Sequence, residues 1–217
     1  LVSIKTEKEK SILESYGLEK GKYFLQITRF EPENLPLKIL QGFKKSRLEE
    51  KGYKFLLVGF KESNEYSLKI KGMSGKDGII VDESIYDQEV LYTLRKNSYC
   101  YVHGNSVGGT NPALLEAMAT CSRLMAIDCE FSKEVLDYEG LYFTPDNIHE
   151  KFHQSLEMED LYRVLKHRIE NYYRWDAVSD GYIDLVLKQK VDYLSKINSV
   201  KGDCYDFPPP TPRLQKG

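Results

Sequence analysis

The chain is 217 residues long, with 41% hydrophobic and 29% charged residues, and 31 Lys+Arg against 33 Asp+Glu give a formal net charge of -2. That length supports one well-cored domain, and the near-neutral charge removes the basic face expected of a general nucleic-acid binder. Cys100, Cys121, Cys129 and Cys204 lack CxxC spacing and are too sparse for a disulfide scaffold; the four His form no HExxH motif, which argues against structural zinc.

No apolar run approaches the ~20 residues of a transmembrane helix, and no signal peptide opens the sequence. The expected location is therefore cytoplasmic. Leu1 is not a start methionine, and the opening reads like the middle of a longer protein.

Residues 1–20 read as a linker and a first helix over 6–16, anchored by Ile12 and Leu13 and stopped by Gly17. A buried strand is expected over 22–28, then Pro32 and a helical pattern through Leu37, Leu40, Phe43 and Leu48. A second strand spans 53–59, a short helix 62–71 ends near Gly72, and a third strand spans 78–81. A helix over 87–96 turns Val90, Leu91 and Leu94 inward, and a fourth strand covers 98–103. Asn111 or Thr110 caps the next helix, with Pro112 in its first turn and its end near Thr120. A fifth strand over 123–128, a short helix over 130–136 and a sixth strand over 141–143 complete the alternation.

Helices are then expected over 147–156, 158–173 and 175–197, Trp175 serving as a packing anchor. Pro208, Pro209, Pro210 and Pro212 mark residues 201–217 as an extended or disordered tail. The strands are mostly continuous apolar runs, as burial on both faces requires. This predicts an α/β fold: a Rossmann-like, parallel six-stranded sheet with helices on both faces, occupying residues 21–200. Such sheets bind ligands at the carboxyl ends of their strands.

The segment richest in chemistry runs from Tyr101 to Met118: a strand end, a glycine loop and a helix that is apolar except for Glu116. Gly104, Gly108 and Gly109 permit close backbone approach, and N–H groups at a helix start can hold phosphate. Glu116, about one turn into the helix, can accept hydrogen bonds from sugar or ribose hydroxyls. The competing reading is an ordinary βα loop with a surface glutamate. Neither GxxxxGK[ST] nor an N-terminal GxGxxG is present. Arg29 ends the first strand, where a guanidinium can grip phosphate oxygens bidentately. Its competing reading is an ion pair with Glu31 or Glu33.

This stretch resembles the donor-binding half of retaining glycosyltransferases of family 4, which have the two-lobed GT-B architecture. The family pattern E-G-F-G-L-P-x-L-E-A-M is matched in its second half by Pro112–Met118, with Glu116 at the second Glu. Gly108 stands at the first Glu, a departure that leaves the contacts to the donor sugar open. The full form H-G-x-S-x-G-G-T-N-P-x-L-L-E-A-M, from His103, resembles bacterial rhamnosyl- and hexosyltransferases of capsule and O-antigen assembly. Residues 27–34 resemble the G-R-x-x-x-E-K motif, with Arg29 as the basic residue and Asn34 in place of Lys. Tyr173, Arg174 and Trp175 resemble the Y-x-W that opens the last helix.

The resemblance implies a nucleotide-diphosphate-sugar donor, retention of configuration, and no cofactor or obligatory metal. Arg29, Lys61 and the amides of Gly108, Gly109, Thr110 and Asn111 would face the diphosphate. Val81 would border the base, and Leu115 and Glu116 the nucleoside. Arg29, Glu116 and His103 form the implied catalytic set, with His103 among the groups replacing the missing first Glu. The acceptor, a saccharide or lipid-linked saccharide, would bind an N-terminal lobe outside this chain. The chain alone would then bind nucleotide weakly and transfer little; in the full protein it would be at most peripheral at the membrane. A sugar-nucleotide 2-epimerase, a phosphorylase-like transferase and a non-catalytic nucleotide-binding or interaction domain stay open.

Overall fold

Side chains alternate across a strand, so a strand apolar at every position needs cover on both sides. The computed structural model, which describes residues 6–59, 64–176, 179–180 and 182–183, shows this arrangement. Its elements are α1 (Thr6–Ser15), β1 (Tyr23–Ile27), α2 (Pro36–Ser46), β2 (Lys54–Val58), α3 (Glu65–Lys71), β3 (Ile79–Asp82) and α4 (Gln88–Asn97). They continue with β4 (Cys100–His103), α5 (Pro112–Met118), β5 (Leu124–Ile127), α6 (Glu130–Leu136), β6 (Leu141–Phe143), α7 (Ile148–Gln154) and α8 (Tyr162–Tyr172).

All strand pairs are parallel, in the order β3-β2-β1-β4-β5-β6. On one face Phe24, Phe55, Leu57, Val102 and Met125 pack with Ile39 and Phe43 of α2, Ile70 of α3 and Phe152 of α7. On the other, Leu25, Leu56, Val58, Tyr101 and Leu124 meet Leu13 of α1, Leu94 of α4, Met118 of α5 and Leu165 of α8. Phe24 and Phe55 lie edge-on to Phe152, with ring centroids 5.0 and 6.1 Å apart. Gly42 lets α2 approach α7, since a Cβ there would fall 2.4 Å from Ile148 Cγ2.

Two helices differ from the sequence expectation. The helix expected to continue from Pro32 to Leu48 is divided. Residues Pro32–Asn34 form a 3-10 turn, and Leu35 and Arg47 are both left-handed at φ 55°. Pro36 then starts α2, where its missing N–H costs nothing. The helix expected from residue 158 begins at Tyr162, because Asp160 Oδ1 accepts from the Tyr162 N–H at 2.8 Å while the Leu161 N–H bonds Ser122 O.

The chain divides into two compact units at Tyr173/Arg174, and the sheet belongs to the first. In the second, Trp175 is exposed rather than packed as an anchor. The helix expected through residue 197 lies largely outside the described residues, and the proline tail wholly so. No helix among the described residues is long and apolar enough to cross a membrane.

Candidate functional site

In the order β3-β2-β1-β4-β5-β6, successive connections leave β1 on one side and β4 on the other. The loops after these strands therefore diverge and open a crevice at the carboxyl edge, the usual ligand position in such sheets. The loop after β1 carries Arg29. The loop after β4 carries Gly108 and Gly109.

Buried polar side chains stitch the first loop. Asn34, only 2% exposed, donates from Nδ2 to Arg29 O at 3.0 Å. Gln26, at the inner side of β1, donates from Nε2 to Asn34 O, also at 3.0 Å. Ser106 ties the second loop to the first, since its N–H and its hydroxyl both donate to Glu33 O, at 3.0 and 2.8 Å. Gly104 allows this approach: a Cβ there would fall 2.3 Å from Asn34 O. Its lack of a side chain thus serves the chain's own packing.

Arg29 emerges exposed from this scaffold, and its guanidinium has no hydrogen bond or ion pair among the described residues. The expected pair with Glu31 or Glu33 does not form. Asn34, at the position of the family's Lys, is a buried structural residue and does not face the crevice as a cation's substitute.

Beyond Ser106 the second loop is open. The N–H groups of Val107, Gly108, Gly109, Thr110 and Asn111 have no acceptor among the described residues. Gly108 sits at φ 99°, a conformation that L-residues rarely adopt. The family's first Glu would therefore be strained in this loop. Asn111 is the helix cap, its Oδ1 accepting from the Ala113 N–H at 2.9 Å.

His103, Gly108, Gly109 and Asn111 line a shallow recess open to solvent, which Phe131, Ser132 and Val135 also border. His103 is 4% exposed, and burial lowers its pKa from 6.5 to about 4. At neutral pH it is an uncharged imidazole, able to donate from one nitrogen and accept at the other.

Glu116 lies on the flank of α5 that faces α4 and is not part of the recess lining. Its Oε2 accepts from Arg95 of α4, whose side chain is 6% exposed against 51% for Glu116. Oε1 has no partner among the described residues. Leu115 packs against the core. Val81 lies two strands from β1, about 10 Å away; its N–H donates to Ser74 Oγ at 3.0 Å. Lys61 lies outside the described residues.

The structure thus gathers Arg29, His103 and the 107–111 amides at one crevice. Glu116 sits on the next turn outward, and Val81 at a distance. Gln26, Ser106 and Arg95 were not singled out from the sequence as site residues, and Asn34 was named only as the residue in place of the family's Lys. Arg95 had a signal: it falls four residues after Leu91, on the inward stripe of α4.

No protein-family model matches the chain, and no curated protein sequence does. Solved structures do match. A UDP-forming α,α-trehalose-phosphate synthase from Burkholderia vietnamiensis aligns over 93% of this chain and 52% of its own, at TM-score 0.60 and 12% identity. The corresponding enzyme from Burkholderia xenovorans, solved with glucose-6-phosphate, aligns over 75% and 40%, at 0.57 and 16%. The protein TarM aligns over 77% and 35%, at 0.64 and 12%. The chain therefore spans about a third to a half of the solved chains it matches. At these identities the likeness is one of fold: a parallel six-stranded α/β domain with helices on both faces, of the Rossmann-like kind found in GT-B structures.

Proposed function

We propose that this chain is the donor-binding domain of a glycosyltransferase that moves a hexose from a nucleotide-diphosphate sugar to a saccharide or lipid-linked acceptor in surface polysaccharide synthesis. The observation that carries this reading is the pairing, at the switch point, of an unpartnered Arg29 with a run of unbonded amides over 107–111. A diphosphate offers acceptors to both.

In the transfer, the bond between the anomeric carbon and the diphosphate oxygen breaks, and the electron pair leaves with the diphosphate. An acceptor hydroxyl forms the new bond and gives up its proton to the departing phosphate. Asn34 and Gln26 hold the backbone from which Arg29 projects, and Arg29 with the 107–111 amides would stabilise the charge that develops on the diphosphate. Neutral His103 hydrogen-bonds a donor-sugar hydroxyl in the recess. Glu116, beyond the loop, accepts from the ribose. Lys61 adds charge at the diphosphate, and Val81 with its neighbours borders the base. The acceptor surface belongs to a second lobe, with the full protein cytoplasmic or peripheral at the membrane.

Calorimetry with UDP, GDP and dTDP and their sugars tests the reading. One base is expected to bind about tenfold tighter than the others, ~1.4 kcal/mol. Absence of binding to all three would overturn it. Efficient transfer by the 217-residue chain alone would remove the need for a second lobe.

A further inference from the structure

Arg95 is hard to explain as a source of stability. It is 5% exposed, its Nε is buried with no partner, and its one carboxylate, Glu116, is half in water. Taking a guanidinium out of water for a single partner costs about as much as the attraction returns, and apolar replacements of such pairs are often neutral or stabilising. What the pair does fix is geometry. Arg95 is itself anchored, since Ser98 Oγ and Cys121 Sγ both donate to its carbonyl, at 2.8 and 3.3 Å. It reaches from α4 to seize Glu116 Oε2, so one rotamer of an otherwise mobile surface side chain is selected. Oε1 is left without a partner among the described residues.

Glu116 lies five residues beyond the cap Asn111, about 7 Å along the helix axis. That separation is comparable with the span between the diphosphate and the ribose of one nucleotide. Resting on the donor-site reading above, we propose that Arg95 is a positioning residue that holds Glu116 through Oε2 and so presents Oε1 to the ribose hydroxyls. It thereby sets a preference for ribonucleotides over nucleotides that lack those hydroxyls. Arg95 itself does not touch the ligand.

The test compares UDP with 2′,3′-dideoxy-UDP by calorimetry, and GDP with its dideoxy analogue in parallel, so that the identity of the base does not decide the outcome. The unaltered chain should favour the ribose form by about tenfold. Glu116→Gln should reduce that ratio. Arg95→Met should bring it near one while leaving affinity for the dideoxy form and the melting temperature unchanged. Arg95→Gln should act in the same way and decides the matter if the methionine variant does not fold. A purely structural role would weaken both ligands equally and leave the ratio intact, which overturns the inference. Nucleotide binding with the ratio retained in both Arg95 variants defeats this inference alone. No nucleotide binding by the unaltered chain defeats the donor-site reading as well.

Discussion

In the loop after β1, buried Asn34 and Gln26 bond the main chain from within, whereas in the loop after β4 the 107–111 amides have no acceptor among the described residues. Both loops border the same crevice and meet through Ser106 and Glu33. The first spends its polar groups on itself and projects one charged side chain, Arg29. The second leaves its backbone unsatisfied and open to water. A rigid half fixes where the cation stands, and an open half offers a concave set of dipoles to whatever anion arrives. Anion affinity is thus prepared without lowering the stability of the sheet, because unbonded amides cost little while water can reach them.

Four sets of variants test how the two loops differ. The largest effect concerns His103, at the root of the open loop. Its pKa is lowered by burial, so the unfolded chain binds the extra proton first. Stability should be complete above pH 6.5 and fall as pH drops toward 4. The loss is about 3 kcal/mol for a group moved from 6.5 to about 4. Denaturant melts across that range should show the fall in the native chain and a flatter profile in His103→Gln.

Next are changes to the stitched half. Gly104→Val drives a side chain against Asn34 O, and Asn34→Ala leaves Arg29 O without its donor. Each should cost about 1–3 kcal/mol in a melt and weaken nucleotide binding through misplacement of Arg29. Gly108→Ala in the open half meets no neighbour within 4 Å, so only its positive φ is at stake. The expected cost is about 1 kcal/mol in stability, with a clear drop in diphosphate affinity as the amides turn away. The smallest stability effect belongs to Arg29→Ala, within about 0.5 kcal/mol. Its affinity for nucleoside diphosphate should fall about tenfold or more, the loss of a charge-assisted hydrogen bond. Were the stability cost of Arg29→Ala to exceed that of Gly104→Val, the division between the two loops would be misdrawn.

The sheet was legible in the sequence because burial on both faces leaves a continuous apolar run, as in Phe24 to Ile27 save Gln26. That interior exception was the visible trace of the stitching, since a glutamine in a buried strand needs a partner. The motif around Glu116 was legible, and so was Asn111 as cap. What could not be read were partners set by topology. Arg95 lies 21 residues before Glu116 on another helix, and Ser106 lies 73 after Glu33. Leu35 and Arg47 hid the two ends of α2, because a left-handed leucine or arginine carries no glycine to announce it. Asn34 illustrates the limit of a motif match: the position aligned, yet burial gave the residue a different task.

Among the described residues, β1 pairs with β2 at five registered positions and with β4 at only two, Phe24 with Cys100 and Leu25 with Tyr101. The seam of the sheet therefore runs under the crevice. The pairing of β1 with β4 has the fewest registered positions of any neighbouring strands in the sheet. A ligand gripped by Arg29 on one side and by the 107–111 amides on the other would act as a clasp across that seam. Amide hydrogen exchange should then slow along β1 and β4 when nucleoside diphosphate is added, including at strand positions that never contact it.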